Sequence, residues 1–373
     1  YLEIQDRQSA SVGSLSLSVS TRASRSDVND VSGFLVASSK ALAHKVSDQT
    51  RLMTDTLTAA SFDEDDRIRE LVKQIRARRD QSISGAGHSL AMTAACASMS
   101  PLANLYHTQS GLEGIARLRR LDDSLADTSS LRSLSEELIA LREHLLTAPS
   151  VNLLTVSDSQ NCEASTDQLR SAAHGLTAAG NLEPWSLSES AVRTNQIWAA
   201  NTQVNFCAKA YPTVSSGHPD APTLSVLAAY LRNGFLHRSI REQGGAYGGG
   251  ASHDGNVGAF RFFSYRDPRN LETLSDFDAS IAWVLSAEPD SLALEEAILS
   301  VISSLDKPAS PSGEVKKAFY DGLNGRTADH KRALRESIVS TTLDDLRRVT
   351  DTYLKPDVGC SVILTDPKTA ASQ

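Results

Sequence analysis

Cysteine is scarce in this sequence, and its arrangement excludes the sites that cysteines usually build. Four cysteines occur in 373 residues (Cys96, Cys162, Cys207 and Cys360), and none belongs to a C-x-x-C pair. Their spacing fits neither a disulfide framework nor a zinc knuckle, so we expect buried free thiols. Free thiols agree with an intracellular compartment, such as a bacterial cytoplasm or an organelle matrix, but they leave the compartment open.

Long hydrophobic runs and an excess of positive charge are also missing. No stretch has the length of a transmembrane helix and no secretory signal is present, although the sequence begins at Tyr1 and a targeting segment could precede it. The net charge of −8 argues against nucleic acid or an anionic membrane as the main partner. The content of 40% hydrophobic residues is enough for a core, and the length suggests two domains.

Motifs for metal binding and for nucleophilic catalysis are absent as well. The zinc motif H-x-x-E-H fails at its nearest match, where Glu143 and His144 follow Ala140, and the other histidines form no pair four residues apart on one helix. Neither a G-x-S-x-G elbow nor a phosphate-binding loop occurs. Cys96 and Cys207 have no histidine partner in sequence, although pairing in space stays open. We therefore expect no cofactor in this chain.

The most informative feature present is the run Arg241-Glu-Gln-Gly-Gly-Ala-Tyr-Gly-Gly-Gly250, in which five of ten residues are glycine. Glycine allows another backbone to approach closely. The guanidinium of Arg241 and the phenol of Tyr247 are donors suited to a carbonyl or an oxyanion. The run predicts a bare strand edge that holds an extended peptide. The predicted contact residues within it are Arg241, Gly244, Gly245, Tyr247 and Gly248.

Plainer interpretations stay open for the same residues. The run is also typical of a glycine-rich hairpin in which Tyr247 only packs and a glycine serves a positive φ. Arg241 is also explained as a surface arginine near a helix C-terminus, where it interacts favourably with the helix dipole. His88, in an alanine-rich segment, is most simply a satisfied core or interdomain histidine.

The surroundings of the run resemble a known peptidase family. After R-x-x-G-G-A-Y-G comes a strand that ends in S-Y-R-D-P at Ser264–Pro268, as in the presequence protease subfamily of the pitrilysin/insulinase zinc peptidases. The strand Thr202-Gln-Val-Asn205 and the segment Ser84-Gly-Ala-Gly-His88 are also similar to this subfamily. The resemblance covers most of the chain and is to the C-terminal half of these enzymes.

The resemblance implies roles for several residues. The family's zinc site would lie in an N-terminal half, on the same polypeptide or on a separate subunit. Arg241 and Tyr247 would reach across a closed chamber, hold the substrate carbonyl and stabilise the tetrahedral oxyanion. Asn205 would belong to the substrate-binding residues. We expect Arg266 and Asp267 to be structural and to pair locally at the strand end.

Each half of the sequence runs from strands, through several helices, to a closing strand. This pattern predicts an α+β fold of two related units, each an antiparallel sheet packed with several helices, as in pitrilysin-family (LuxS-like metallohydrolase-type) domains. The predicted units are 1–183, a third family domain shortened at its N-terminus, and 184–373, a fourth family domain that carries the Arg/Tyr motif. We expect the linker at Gly180–Pro184. A capping box at Ser61–Glu64 and a short buried strand at Val151–Val156 are further predictions. In the second unit we expect strands in the Ile197–Ala210 region and a helix from about Ala221 to Arg241, one face of which carries His237 and Arg241.

The expected function is that of the C-terminal half of a zinc metallopeptidase that degrades unfolded peptides. The chain would supply substrate-binding and oxyanion-stabilising residues but no zinc site, and it would be inactive in isolation. Its expected partners are a zinc-bearing N-terminal half and unfolded peptides. Two alternatives stay open: a non-catalytic subunit that pairs with a separate zinc-bearing subunit, and a module that captures peptides without cleaving them.

Overall fold

The computed structural model describes residues 2–147, 151–176, 186–187, 191–286 and 290–372. The helices are α1 (Leu2–Ser11), α2 (Val46–Thr58), α3 (Asp65–Cys96), α4 (Pro101–Gln109), α5 (Leu112–Ser124), α6 (Thr128–Leu145), α7 (Cys162–Ala173), α8 (Ala221–Leu231), α9 (Leu271–Ser286), α10 (Ser291–Leu305), α11 (Pro311–Leu323), α12 (Ala328–Val339), α13 (Leu343–Tyr353) and α14 (Pro367–Ala371). The strands are β1 (Ser14–Ala23), β2 (Val31–Lys40), β3 (Gln196–Ala199), β4 (Phe206–Pro212), β5 (Gly248–Asp254), β6 (Ala259–Tyr265) and β7 (Cys360–Thr365). A π-helical segment, Arg232–Gln243, continues α8. None of the described helices combines the length and the apolar character needed to cross a bilayer.

Five strands form the main sheet, and β5 lies at one of its edges. The strand order is β3–β7–β4–β6–β5, with β3 and β7 parallel and the other neighbours antiparallel. Six of the seven residues of β4 are buried, as suits a strand covered on both faces. Strand β5 pairs with β6 in a register that places Gly248 opposite Tyr265. The strands predicted around residues 197–210 and after the glycine run are thus confirmed.

Helices from both parts of the chain cover the two faces of this sheet. On one face, Leu90 and Ala94 of α3 share a core with Phe206 of β4. On the other face, Leu227 of α8 packs in a core with Tyr211 of β4. The long helix of the N-terminal part therefore belongs to the same hydrophobic core as the C-terminal sheet. The predicted linker Gly180–Pro184 lies outside the described residues, so the predicted domain boundary stays a prediction.

The N-terminal part contributes a two-stranded hairpin and several helices. Strands β1 and β2 pair antiparallel from Ser14–Lys40 to Ala23–Val31. With the main sheet and its helices, they confirm the predicted α+β fold class. The strand predicted at Val151–Val156 is wrong, because these residues adopt no strand conformation and Val151 and Val156 are exposed. A short apolar run becomes a strand only where a neighbour satisfies its backbone N–H and C=O groups.

Helix α3 bends where its sequence is poorest in helix-forming residues. Ala86 has non-helical dihedrals (φ −123°, ψ 19°) between two glycines, which are weak helix formers. At Gly87 the helix lies against the main sheet, since a Cβ there would be 2.5 Å from the Phe206 ring. The predicted capping box at the start of α3 is wrong. The Ser61 hydroxyl donates to Asp63 instead, and the helix begins without a side-chain cap.

Candidate functional site

A tight glycine turn joins the π-helical segment to β5 and places Arg241 and Tyr247 at its two ends. The N–H of Gly245 donates to the carbonyl of Arg241 over 3.1 Å. Gly244 has no room for a side chain, since a Cβ would lie 2.5 Å from the carbonyl oxygen of Ile240. Gly245 has φ +78°, in the left-handed region that favours glycine. Both glycines are therefore required by the turn itself.

Arg241 is exposed, and His237 orients its guanidinium. Nη1 of Arg241 lies 3.2 Å from Nε2 of His237, and Nδ1 of His237 lies 3.4 Å from Oε1 of Glu242. Because a guanidinium only donates, Nε2 accepts and the imidazole proton lies on Nδ1, facing Glu242. A π-helical turn includes about one more residue than an α-helical turn, so residues four and five positions apart both come beside His237. In the part of the chain that is described, the guanidinium has no other polar partner, and its remaining N–H groups are available to a ligand.

Tyr247 is held at its ring and free at its hydroxyl. Its side chain is 64% exposed. The ring centroid lies 5.4 Å from that of Tyr265, and the guanidinium of Arg266 lies 5.7 Å from the Tyr247 centroid. The backbone N–H of Tyr247 donates to the carbonyl of Arg266 over 3.3 Å. No described residue accepts a hydrogen bond from the phenol, which is therefore available as a donor.

The glycines that open β5 make room for neighbouring side chains of the same chain. A Cβ on Gly248 would lie 2.5 Å from the Tyr265 ring, and one on Gly249 would lie 2.9 Å from Ile240. These contacts lie on the faces of the sheet. Its outer edge pairs with no further strand within the described ranges, as expected for the bare edge. Peptide contact by Gly244, Gly245 and Gly248 stays a prediction.

Asn205 ties three parts of the chain together from inside the fold. Its backbone exchanges two hydrogen bonds with Asp267, of 2.8 and 2.9 Å. Its Nδ2 donates to the carbonyl of Arg269 over 3.1 Å, and its Oδ1 accepts from the hydroxyl of Thr365 over 2.6 Å. These bonds give both side-chain polar atoms of Asn205 a partner within the fold, so a structural role explains the residue without a bound peptide. Its predicted place among the substrate-binding residues stays untested.

Asp267 is fully buried and serves the same internal network. Its Oδ1 accepts from the N–H of Arg269 over 3.0 Å, and its Oδ2 accepts from the hydroxyl of Thr273 over 2.8 Å. The expectation that Arg266 pairs with Asp267 is therefore wrong. The carboxylate turns inward to these donors, and the exposed Arg266 side chain lies over Tyr247 instead.

His88 belongs to helix α3, next to its bend, and its ring packs against the aromatic strand β6. Its ring centroid is 5.0 Å from that of Tyr265 and 5.8 Å from that of Phe263. Its Nδ1 is buried and has no hydrogen-bond partner among the described residues, and burial lowers the pKa of the imidazole. The expectation of a satisfied histidine is wrong for this atom. Tyr265 contacts both His88 and Tyr247, so it links the bend of α3 to the exposed phenol.

Neither a metal-binding group nor a reactive nucleophile is present over the described ranges. No three His, Cys, Asp or Glu side chains there are arranged so that they could hold a metal ion. Cys96 and Cys207 are both buried, and burial raises the pKa of each thiol to about 12. Neither thiol ionises near neutral pH, so neither resembles a reactive cysteine.

Sequence reasoning selected Arg241 and Tyr247 as candidates, whose roles stay a prediction, and it did not foresee the residues that contact them. His237 was placed on the helix face that also carries Arg241, and this i, i+4 spacing was the only signal for the contact. Arg266 lies beside Tyr247 because the register that pairs Gly248 with Tyr265 puts residues 247 and 266 opposite each other. That register is fixed by the folded sheet.

Two family models match most of the chain. The model of the domain associated with subfamily C of the M16 peptidases matches residues 1–121, and "PreP C-terminal domain" matches residues 195–364. Among curated proteins, the mitochondrial presequence protease of Danio rerio is 29% identical over 99% of this chain and 38% of that protein. That of Kluyveromyces lactis is 30% identical over 80% of this chain and 31% of that protein. The chain thus spans less than two fifths of the length of these relatives.

Solved structures of low sequence identity share the fold. A conserved protein from Enterococcus faecalis V583 has a TM-score of 0.63 at 14% identity, covering 98% of this chain and 85% of that chain. A peptidase M16 inactive domain from Pseudomonas fluorescens has a TM-score of 0.61 at 14% identity, covering 97% and 83%. These likenesses show the fold. The two family models and the presequence protease matches show that the chain belongs to the presequence protease branch of the M16 peptidases and corresponds to the C-terminal part of its members.

Proposed function

We propose that this chain is the C-terminal half of a zinc metallopeptidase that degrades unfolded peptides, and that Arg241 and Tyr247 bind the scissile region of the peptide. One observation carries the proposal. Two exposed donors stand at the ends of a single glycine turn: Arg241 is held through one N–H group and keeps the others free, and Tyr247 is held at its ring and keeps its hydroxyl free. Donors that are fixed in advance are suited to stabilising a substrate oxygen that gains negative charge during the reaction.

Arg241 and Tyr247 would donate to the substrate carbonyl oxygen and hold it more tightly as it gains negative charge. The guanidinium offers N–H donors in a fixed fork, and the phenol offers one O–H donor. Loss of one donor to an oxyanion typically costs about 2.7–4 kcal/mol of transition-state stabilisation. The extended peptide would lie along the open edge of β5 and form main-chain hydrogen bonds there. A surrounding chamber would restrict access to unfolded chains.

Zinc and the general base would come from an N-terminal zinc-bearing half, on the same polypeptide or on a separate subunit. The described residues of this chain do not offer a fitting donor set, because no three His, Cys, Asp or Glu side chains among them are arranged so that they could hold a metal ion. We therefore assign this chain the tasks of binding and orienting the peptide and of stabilising charge on its carbonyl oxygen.

A peptide-capture module, or a non-catalytic partner subunit, is the second candidate. The same open edge and the same free donors would hold a peptide without any cleavage. The two functions differ in what happens when the zinc-bearing half is present, since only a peptidase half then supports turnover.

The test compares this chain alone with the assembled peptidase that includes the zinc-bearing half. Metal content and cleavage of a fluorogenic unfolded peptide are measured for both. We expect no turnover by the chain alone and chelator-sensitive turnover by the assembly. Chelator-sensitive turnover by the chain alone would contradict the proposal. Peptide binding without turnover in the assembly would favour the capture module.

A further inference from the structure

We propose that Arg266 is a positioning residue for Tyr247, holding the phenol in the orientation in which its hydroxyl meets the substrate. The inference rests on the proposed function, because it assigns a second residue to the same site. It differs from the sequence-based expectation, in which Arg266 was a structural residue paired at a strand end. The support comes from the backbone of Arg266, its surroundings and its side-chain contact.

The backbone of Arg266 is strained. Its φ is +50°, and it is the only residue other than glycine with a positive φ in the part of the chain that is described. Long side chains disfavour this left-handed region, whereas glycine and asparagine adopt it readily. Strained residues persist where the fold enforces them, and they cluster at functional sites. The sequence has an arginine at a corner where a glycine would fit with less strain.

The neighbours of Arg266 enforce this corner. On one side, Tyr265 is fixed in the sheet opposite Gly248 and fills the space of the missing side chain. On the other side, Asp267 is buried and bridged to Asn205 through two backbone hydrogen bonds. Arg266 is the single residue between these anchors. Its conformation is therefore determined by the fold, and its side chain emerges beside Tyr247.

The side chain of Arg266 makes one defined contact, and that contact is with Tyr247. Its guanidinium lies 5.7 Å from the ring centroid, within the range of a cation–π interaction. No described carboxylate pairs with it. The Tyr247 ring is thus supported by Tyr265 and by Arg266, and its backbone N–H is bonded to the Arg266 carbonyl. Without the guanidinium, an exposed phenol would sample more rotamers and meet the substrate less often.

The experiment uses the assembled peptidase and separates backbone from side chain. Both R266A and R266G should lower kcat about tenfold with KM little changed, since orientation of the phenol is lost in each. R266G should melt at or above the wild-type temperature, because glycine relieves the strain, whereas R266A retains it. R266K keeps a cation over the ring and should recover part of kcat. R238A removes another exposed arginine, which makes no contact with Tyr247, and should behave like wild type.

Double variants decide whether Arg266 acts through Tyr247. In the Y247F background, R266G should cause little further loss, because two residues that act as a unit are not additive. R266N offers a second side chain suited to the left-handed corner, and it should match R266G in both rate and melting temperature. Wild-type kcat in R266G and R266N, with a reduced kcat in Y247F, would overturn the inference alone. A large fall in the melting temperature of both would make Arg266 structural. Wild-type kcat in both Y247F and R241A would instead contradict the proposed function.

Discussion

Residues from the motifs that resemble the peptidase family use their polar atoms in two different ways. On the inner side, both side-chain polar atoms of Asn205 and of Asp267 are engaged in hydrogen bonds within the fold. On the outer side, Arg241 and Tyr247 keep donors that no described residue accepts. The motifs that match the family include both the inner residues and the outer residues. Exposure and hydrogen-bond completeness separate the residues that hold the fold together from those for which we propose a role with the peptide, so inner changes should lower stability and outer changes should lower activity.

Replacing Asp267 should have the largest effect on stability. Asp267→Ala leaves the partly buried N–H of Arg269 and the buried hydroxyl of Thr273 without an acceptor. At about 1–3 kcal/mol for each of these two groups, the free energy of unfolding should fall by roughly 2–6 kcal/mol. Urea denaturation measures it. Asp267→Asn keeps one acceptor and should lose less. Equal stability of Asp267→Ala and wild type would show that the hydrogen bonds of the Asp267 carboxylate do not stabilise the fold.

Gly244→Ala should also destabilise the fold, by about 3 kcal/mol. Its Cβ would lie 2.5 Å from the carbonyl oxygen of Ile240, and a backbone atom of the turn cannot move away cheaply. The matched control is Gly322→Ala in helix α11, where nothing lies within 4 Å of the added Cβ and alanine should be neutral or stabilising. Thermal unfolding of both variants is the measurement, and similar melting temperatures would contradict the prediction.

Gly248 adjoins both the internal packing and the exposed donors, so its replacement should affect both stability and activity. In Gly248→Val the side chain meets the Tyr265 ring, so we expect a loss of about 1–3 kcal/mol. Displacement of Tyr265 also removes support from Tyr247, so kcat should fall. The double variant with Tyr265→Ala makes room and should recover part of the stability. Lost peptide affinity at an unchanged melting temperature would favour the sequence-based idea that Gly248 keeps the edge bare for substrate.

The smallest effect is expected at His237, which only orients Arg241. His237→Ala should lower kcat/KM of the assembled peptidase about fivefold, the equivalent of about 1 kcal/mol for one exposed hydrogen bond, and leave stability almost unchanged. His237→Gln offers an amide oxygen as acceptor and should recover part of the rate. A wild-type kcat/KM in His237→Ala would show that the guanidinium orients itself without help.

The strands and the helix that frame the site could be predicted from sequence. The helix predicted from about residue 221 to 241 corresponds to α8 and its π-helical continuation, and the glycine run forms the edge strand. Local periodicity and glycine content were sufficient to predict these elements, because each is one continuous segment of the chain. The prediction failed at Val151–Val156, because this apolar segment pairs with no strand in the described part of the chain.

The residues that support the two donors could not be predicted in the same way. The contact between Arg266 and Tyr247 depends on a cross-strand register and on one left-handed residue. The contact between Tyr265 and His88 depends on how the bent helix α3 meets the sheet. The π-helical turn beside Arg241 has no composition signal of its own. Each of these features is set by tertiary packing.

We infer that the hydroxyl of Tyr247 contributes to the reaction and not to folding. Tyr247→Phe removes that one oxygen and keeps the ring between Tyr265 and Arg266. In the assembled peptidase we predict a fall in kcat of about 10²–10³-fold, the equivalent of about 2.7–4 kcal/mol, with melting temperature and zinc content unchanged. A wild-type kcat in Tyr247→Phe would contradict the account.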